Sequence, residues 1–124
     1  MGQSSFSFSK NEKLTGKKRI EELFRSGSSF YLKSFHVRSK ESQLDDAPHQ
    51  VLISVPKKSF KRAVDRNKIK RIVREAYRLN KHKIEEVKPL YIGFVYISKH
   101  ILTFHEIQDQ LIQCLDRLKR NNTD

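Results

Sequence analysis

Cationic side chains are concentrated in residues 57–78, and the same segment carries an apolar spacing that predicts a helix. Ten of these residues are Lys or Arg and two are acidic, which leaves 16 basic and 12 acidic residues for the rest of the 124-residue chain. The apolar residues recur at the i, i+3, i+4 and i+7 spacing of one helix face, at Ile69, Ile72, Val73 and Ala76. The predicted helix, from about Val64 to Asn80, must therefore pack on one side and leave a cationic surface on the other.

The charges on the outer side of this predicted helix favour a polyanionic partner. Arg62, Arg66, Lys70, Arg74 and Arg78 recur every four residues, and like charges at this spacing cost an isolated helix about 0.2 to 0.5 kcal/mol per pair. The whole chain has a formal net charge of +12, which adds to the repulsion. Binding to a nucleic acid would relieve it.

The sequence does not favour a membrane or secreted protein. Its longest apolar runs, near 51–55 and 90–97, are far shorter than a bilayer span. The first ten residues contain Phe6 and Phe8 among serines rather than the apolar core of a signal peptide. The single cysteine, Cys114, excludes an internal disulfide. These features predict a cytoplasmic protein without a membrane partner.

The region before the basic helix predicts one helix and two strands. Helical spacing of apolar residues predicts a first helix over 15–25, with Thr15 as its N-cap. Residues 30–39 alternate as one strand, with Phe35 and Val37 on one face and His36 and Arg38 on the other. A loop over 41–49 leads to a second strand over 50–55.

The region after the basic helix predicts the centre of the fold. Residues 90–97 form a nearly continuous apolar run, which is typical of a strand buried on both faces. Thr103 and Glu106 have the spacing of a capping box, and the apolar stripe that follows predicts a helix to Leu118. Because Cys114 lies on that stripe, we interpret it as a core residue rather than a nucleophile.

The chain shows no internal repeat and no linker, so these elements predict one domain. We expect a flexible lead-in over 1–13, a single RNA-binding α/β domain over 14–120 and a frayed end over 121–124.

No residue pattern predicts a catalytic or metal site. The five histidines are scattered, without HExxH or paired Cys and His spacing, and the glycine-rich loops that hold nucleotide phosphates are absent. Catalysis by the protein alone would need a nucleophile with its base, a carboxylate pair or a metal cluster. We therefore predict no catalytic residue and no metal ligand.

Residues 61–78, KRAVDRNKIKRIVREAYR, closely resemble the signature of the protein subunit of bacterial ribonuclease P. The family's RNR box corresponds to Arg66, Asn67 and Lys68, and it is followed by the KRxxREA pattern at 70–76. The resemblance also includes SVPKK and LFRSG further upstream, and it covers nearly the whole chain.

Two residues depart from the family pattern. Lys68 replaces the second Arg of the box, which keeps the charge but loses the planar guanidinium that can bind a phosphate through two donors. Asp65 places an acid where a basic or apolar residue would be expected.

The resemblance implies an α+β fold. The expected architecture is a single two-layer α/β sandwich in the order αβββαβα, similar to domain 2 of ribosomal protein S5, with a left-handed crossover around the basic helix. The residue patterns alone give the order α, β, β, α, β, α, so the missing strand is expected within 30–55.

The resemblance also implies a function as part of a ribonucleoprotein. In this family the RNA subunit holds the catalytic Mg²⁺ and removes the 5′ leader of precursor tRNA, while the protein binds both the RNA and the leader and needs no protein partner. The implied surface for the catalytic RNA is formed by Arg62, Arg66, Asn67, Lys68, Lys70, Arg71 and Arg74. The implied leader cleft, between the first helix and the sheet, is formed by Phe24, Phe35, Arg38 and Lys57.

The residues leave other interpretations open. Phe24 and Phe35 also fit core packing, and Arg38 and Lys57 also fit a solvated surface. The basic helix also suits a ribosomal or other structured-RNA-binding protein without a role in cleavage. A DNA-binding domain would be expected to have a short helix and a tight turn before the basic helix, which the sequence lacks. An independent nuclease would need the catalytic cluster that the sequence also lacks.

Overall fold

The structure, a computed structural model, describes residues 10–42 and 48–123. Within them the α-helices and strands follow the predicted order αβββαβα, together with 3-10 turns at Lys10–Glu12 and Lys81–Ile84. The helices α1 to α3 span Lys17–Ser26, Ala63–Asn80 and Phe104–Asn121. The strands β1 to β4 span Ser28–Leu32, Phe35–Glu41, Gln50–Ser54 and Leu90–Tyr96.

The prediction of one strand over 30–39 is wrong, because this segment forms an antiparallel hairpin of β1 and β2. The strands are joined by Lys33 and Ser34, and Lys33 has a φ of 50°, in the left-handed region. Leu32 pairs with Phe35, and Tyr31 pairs with His36. The hairpin supplies the strand that the residue patterns missed, since a turn without Gly, Asn or Asp gives no sequence signal.

The strands form one sheet in the order β1-β2-β4-β3. β4 lies between β2, to which it is antiparallel, and β3, to which it is parallel. Every residue of β4 except Val95 is buried, which confirms the predicted central strand. α2 and the turn Lys81–Ile84 connect the neighbouring parallel strands β3 and β4. The left hand of this crossover stays a prediction.

The two faces of the sheet pack against different helices. On one face, α2 and α3 enclose the main core with strand residues such as Phe35 and Phe94. On the other face, α1 covers part of the sheet through a smaller cluster that contains Leu23 and Tyr91. The main core is therefore the predicted sandwich, and α1 adds a partial third layer.

Helix α2 packs through the predicted face. Ile69, Val73 and Ala76 are fully buried, and Ile72 is partly buried against the same core. The buried face continues to Asn80, whose Nδ2 donates to the Ala76 carbonyl oxygen at 2.8 Å and to Gln108 Oε1 at 2.9 Å. The second of these bonds ties the end of α2 to α3.

The predicted capping box of α3 is confirmed. The Glu106 backbone N–H donates to Thr103 Oγ1 at 3.2 Å, and the Thr103 N–H donates to Glu106 Oε1 at 2.9 Å. Helix α3 ends at Asn121, beyond the predicted Leu118. Cys114 is fully buried on its inner face, and this burial raises the pKa of its thiol to about 12, so the core interpretation is also confirmed.

The predicted start of α1 at Thr15 is wrong. The N-cap is Gly16, which has a φ of 95° and provides no side-chain cap. Glycine adopts this conformation without the steric cost that a side chain would add.

Residues 10–13 are packed against the domain, although they were predicted to belong to a flexible lead-in. Glu12 is buried and its Oε1 lies 2.7 Å from Lys81 Nζ. Lys13 forms a parallel bridge with Val51 of β3. The rest of the predicted lead-in, residues 1–9, lies outside the described residues, as do residues 43–47 of the predicted loop and Asp124 of the predicted frayed end.

Within 10–42 and 48–123, none of the helices combines the length and apolar character that crossing a membrane requires.

His49 connects the start of β3 with the two segments that follow α2. Its Nδ1 accepts a hydrogen bond from the Leu90 backbone N–H at 3.0 Å, so Nε2 carries the proton and donates to the Ile84 carbonyl oxygen at 2.7 Å. Both ring nitrogens of a neutral imidazole are thus used. Burial lowers the pKa of His49, against weaker opposing effects of the Ile84 hydrogen bond and the Glu12 charge.

We expect the free energy of unfolding to fall as the pH is lowered from about 7 to about 5. The unfolded chain takes up a proton at His49 near the ordinary pKa of 6.5, whereas the folded chain resists it, so protons favour the unfolded state in this window. Urea unfolding at each pH measures the effect. The variant His49→Gln keeps a donor and an acceptor but does not titrate, so its stability should depend less on pH. His36, whose pKa is also lowered, contributes the dependence that remains. An equally steep fall in the variant would contradict the assignment.

Candidate nucleic-acid interface

The outward side of α2 and its first turn carry polar and cationic side chains that the core does not use. Arg62, Asn67, Lys68 and Arg71 are exposed, and Lys70 and Arg74 are partly exposed on the flank of the helix. Within the described part of the chain, no ion pair involves Lys68, Lys70, Arg71 or Arg74. We call this set the α2 cationic surface; it comprises Arg62, Asn67, Lys68, Lys70, Arg71 and Arg74.

Two acidic residues of α2 pair with its arginines. Asp65 lies in the first turn, where a carboxylate interacts favourably with the helix dipole, and its Oδ2 is 3.9 Å from Arg62 Nε. This acid, a departure from the family pattern, is therefore favourably placed at the start of α2. Glu75 accepts from Arg78 Nη2 at 2.6 Å and from Arg78 Nε at 3.1 Å, and these bonds lower the pKa of the Glu75 carboxyl. Arg78 is thereby paired with a residue of its own helix.

Arg66, predicted to contact the catalytic RNA, is used in part by the protein's own backbone. Its Nη1 donates to the Phe60 carbonyl oxygen at 2.8 Å and to the Lys61 carbonyl oxygen at 2.9 Å. The N-cap of α2, Arg62, provides no side-chain cap. Arg66 therefore holds the segment that enters α2. In this way it positions the first residues of the α2 cationic surface.

The predicted leader cleft corresponds to the sheet face that α1 covers only in part. Arg38 projects from β2 onto this face, where its Nη1 donates to the Phe24 carbonyl oxygen at 3.0 Å. Its guanidinium carbon lies 5.3 Å from the centroid of the Phe24 ring, within range of a cation–π interaction. The structure thus brings Phe24 and Arg38 together.

Gly93 of β4 allows α1 to approach this face closely. A Cβ atom at Gly93 would lie 3.2 Å from Leu23 Cδ2 and 3.7 Å from Phe24 Cζ. The absence of a side chain therefore sets how near the Phe24 ring lies to the sheet.

Two residues that were predicted to line the cleft, Phe35 and Lys57, do not lie beside Phe24 and Arg38. The placement of Phe35 in the cleft is wrong: Phe35 is fully buried in the main core, on the opposite face of the sheet, with its ring centroid 5.7 Å from that of Tyr96. The alternation of β2 directs Phe35 and Val37 to the core and His36 and Arg38 to the α1 side. Lys57 is exposed in the turn that follows β3, where none of the described contacts links it to Phe24 or Arg38.

The sequence interpretation missed an aromatic pair on the same face as Arg38. Tyr31 is 67% exposed and stacks on His36, with ring centroids 4.1 Å apart and planes 7° from parallel. Tyr31 and His36 are directly paired across the β1–β2 hairpin, so predicting this hairpin would have revealed the contact. We call the residues Phe24, Tyr31, His36 and Arg38 the α1-side groove.

The described residues do not offer a site for a metal ion. Among them, no group of three or more His, Cys, Asp or Glu side chains is arranged to hold one.

Comparisons with known proteins agree with this architecture. Residues 8–119 match the family described as Ribonuclease P. The chain belongs to the ribonuclease P protein family. The ribonuclease P protein component of Porphyromonas gingivalis (strain ATCC 33277) is 36% identical over 124 residues, which cover 95% of this chain and 90% of the relative. The component of Dictyoglomus thermophilum is 35% identical over 114 residues, which cover 90% and 92% of the two chains.

Solved ribonuclease P proteins have the same fold. The protein of Staphylococcus aureus superposes with a TM-score of 0.73 at 25% identity, over 87% of this chain and 95% of that one. The protein of Thermotoga maritima superposes with a TM-score of 0.73 at 28% identity, over 86% and 96% of the two chains.

As a ribonuclease P protein component, the chain is a subunit of an endonucleolytic ribonucleoprotein that acts in tRNA 5′ processing, and its partner is the ribonuclease P RNA. The family resemblance noted at residues 61–78 is confirmed, and the ribosomal and DNA-binding alternatives are set aside.

Proposed function

We propose that the α2 cationic surface binds the ribonuclease P RNA while the α1-side groove binds the 5′ leader of precursor tRNA. One observation carries this proposal: α2 and α1 lie on opposite faces of the sheet, each with its own polar surface. Separate surfaces allow one small protein to hold two RNA segments at the same time.

The chemistry of the α2 cationic surface suits the backbone of a structured RNA. Arg62, Arg71 and Arg74 can each bind a phosphate through two donors, and Lys68 and Lys70 neutralise phosphates as point charges. The Asn67 side chain adds a neutral amide that can donate to a phosphate or a ribose hydroxyl. Because these groups suit phosphate and ribose oxygens, the surface recognises RNA mainly through its backbone.

The chemistry of the α1-side groove suits a single strand of variable sequence. Aromatic rings such as that of Phe24 stack on any base, at about 1 to 3 kcal/mol per base. The planar guanidinium of Arg38, already held against Phe24, can stack on a base or donate to a phosphate. A precursor leader differs from one tRNA to the next, so binding without sequence preference is what the groove must provide.

We assign the Mg²⁺ used in cleavage mainly to the RNA subunit, because Mg²⁺ prefers oxygen ligands and the phosphates of the RNA supply them. The protein then binds and orients the two RNAs and takes no part in the bond cleavage. A cytoplasmic location, where precursor tRNA is matured, is part of the same proposal.

The proposal is tested by reconstituting the holoenzyme on a precursor tRNA at low magnesium concentration, with each component omitted in turn. We expect leader removal only when the RNA subunit is present, and stimulation when this protein is added. The variants Phe24→Ala and Arg38→Ala should bind precursor tRNA about 5-fold to 150-fold more weakly, in line with the loss of one stacked base, while mature tRNA binds as before.

The matched control is Arg120→Ala, which removes one exposed charge from α3, away from the groove. It should leave the ratio of precursor to mature tRNA affinity unchanged. Equal losses for both tRNA forms in the groove variants would count against leader binding. Cleavage by the protein without RNA would overturn the assignment of the chemistry to the RNA subunit.

A further inference from the structure

The ring of Tyr31 is an exposed aromatic surface on an edge strand. One of its faces covers His36 at a centroid distance of 4.1 Å, and 67% of the residue remains accessible to solvent. The other tyrosines, Tyr77, Tyr91 and Tyr96, are all buried. Tyr31 is thus a ring that is stacked on one side and largely accessible to solvent.

The pair continues the row formed by Arg38 and Phe24. His36 and Arg38 are two residues apart on β2, so their side chains lie on the same face and are separated by about 7 Å. Tyr31 stacks on the first of these side chains and Phe24 contacts the second. Four flat side chains therefore follow one another along the α1 side of the sheet.

The charge around the pair favours an anionic strand. The residues of β1 and β2 that share this face include Arg38 and Lys40 and no carboxylate; they are Ser29, Tyr31, His36, Arg38 and Lys40. Burial and the nearby Arg38 charge lower the pKa of His36, which favours the neutral form of the ring that stacks on Tyr31. The aromatic pair can stack on a nucleobase, and the neighbouring Arg38 and Lys40 can neutralise the phosphate of the same nucleotide.

We propose that the Tyr31–His36 pair is a nucleobase-stacking subsite that holds one further single-stranded nucleotide of the precursor leader, beyond the nucleotides at Phe24 and Arg38. This inference rests on the proposed leader binding. It gives Tyr31 a role in setting the length of leader that the protein recognises. Because stacking accepts every base, the subsite reads the presence of a nucleotide and not its identity.

The test uses reconstituted holoenzyme and precursor tRNAs whose leaders are shortened one nucleotide at a time, under conditions that prevent cleavage. For the longest leader, Tyr31→Ala should weaken binding about 5-fold to 150-fold, and Tyr31→Phe should bind nearly as well as the original chain. The effect of Tyr31→Ala should disappear below one particular leader length. Ile101→Ala, at an exposed apolar residue in the loop before α3, is the matched control and should change nothing.

The outcomes separate this inference from the function on which it depends. If Phe24→Ala and Arg38→Ala reduce precursor binding but Tyr31→Ala does not, the subsite is refuted and leader binding stands. If none of the three variants changes the preference for precursor, leader binding by the groove itself fails. If Tyr31→Ala instead converts a dimer to a monomer in sedimentation without changing leader affinity, the ring serves contact between copies of the chain, and the subsite is again refuted.

Discussion

Replacing Arg62, Arg71 and Arg74 together by Ala is expected to weaken binding to the ribonuclease P RNA by about 100-fold or more. Each of these arginines can make charge-assisted hydrogen bonds to phosphate, and hydrogen bonds to charged groups contribute about 1.5 to 3 kcal/mol each. All three side chains lie on the α2 cationic surface and outside the main core. The loss should therefore appear in RNA affinity and not in the stability of the fold.

A salt titration provides the measurement. If the surface binds roughly six phosphates, log K should fall with log[salt] at a slope of about −4 to −5, and the triple variant should have a slope less steep by about 2 to 3. The control is a triple variant of Lys88, Lys119 and Arg120, which removes the same charge from exposed positions outside α2. A slope near −1 for the original chain, or equal losses in the two triple variants, would contradict the assignment.

Arg66 is left out of this variant because it also binds the protein backbone. Its removal would free the Phe60 and Lys61 carbonyls at the entrance of α2. A weaker RNA affinity would then combine a lost contact with a displaced helix start.

The variant Phe35→Ala is expected to lower the free energy of unfolding by about 3 to 5 kcal/mol. Phe35 is fully buried, and its ring meets those of Phe94 and Tyr96 edge to face, with centroids 6.3 Å and 5.7 Å away. Truncation would remove these contacts and leave a cavity that a close-packed core fills only in part.

Urea unfolding followed by circular dichroism measures this loss. Phe24→Ala is the natural comparison, because Phe24 is only partly buried and lies in the smaller cluster under α1. It should cost less stability than Phe35→Ala. A stably folded Phe35→Ala variant that binds mature tRNA normally but precursor tRNA poorly would contradict the core role of Phe35 and support a role in leader binding.

The elements that could be predicted from the sequence are those with strong local signals. The spacing of Ile69, Val73 and Ala76 predicted the buried face of α2, and the capping box at Thr103 predicted the start of α3. The apolar run of β4 predicted its burial on both faces. In each case, the residues that determine the structure lie within a few positions of one another.

The elements that were missed depend on contacts between distant residues. The turn at Lys33 has no favourable turn residue, so the β1–β2 hairpin is specified by pairing across the sheet and not by its own sequence. The alternation of β2 correctly separated Phe35 from Arg38. It could not tell which of these faces meets the main core, because that depends on where α1 and α2 pack.

The same limit applies to the candidate site. The sequence resemblance identified Phe24 and Arg38, and the structure brings them into contact. Tyr31 could not be found without the hairpin register, and the backbone hydrogen bonds of Arg66 could not be found without the path of residues 60–62. Charge and periodicity predict which helix carries a cationic surface, whereas the role of each side chain depends on the residues that it contacts in the folded structure.

The docking of residues 10–14 has a consequence for how the protein behaves among copies of itself. β3 stands at one end of the strand order, and an open strand edge offers unpaired N–H and C=O groups to any other extended chain. Here the Leu14 N–H donates to the Val51 carbonyl oxygen at 3.0 Å, beside the bridge from Lys13. The chain thus occupies part of its own edge, and this self-pairing acts against sheet-to-sheet aggregation of the free protein before it meets its RNA.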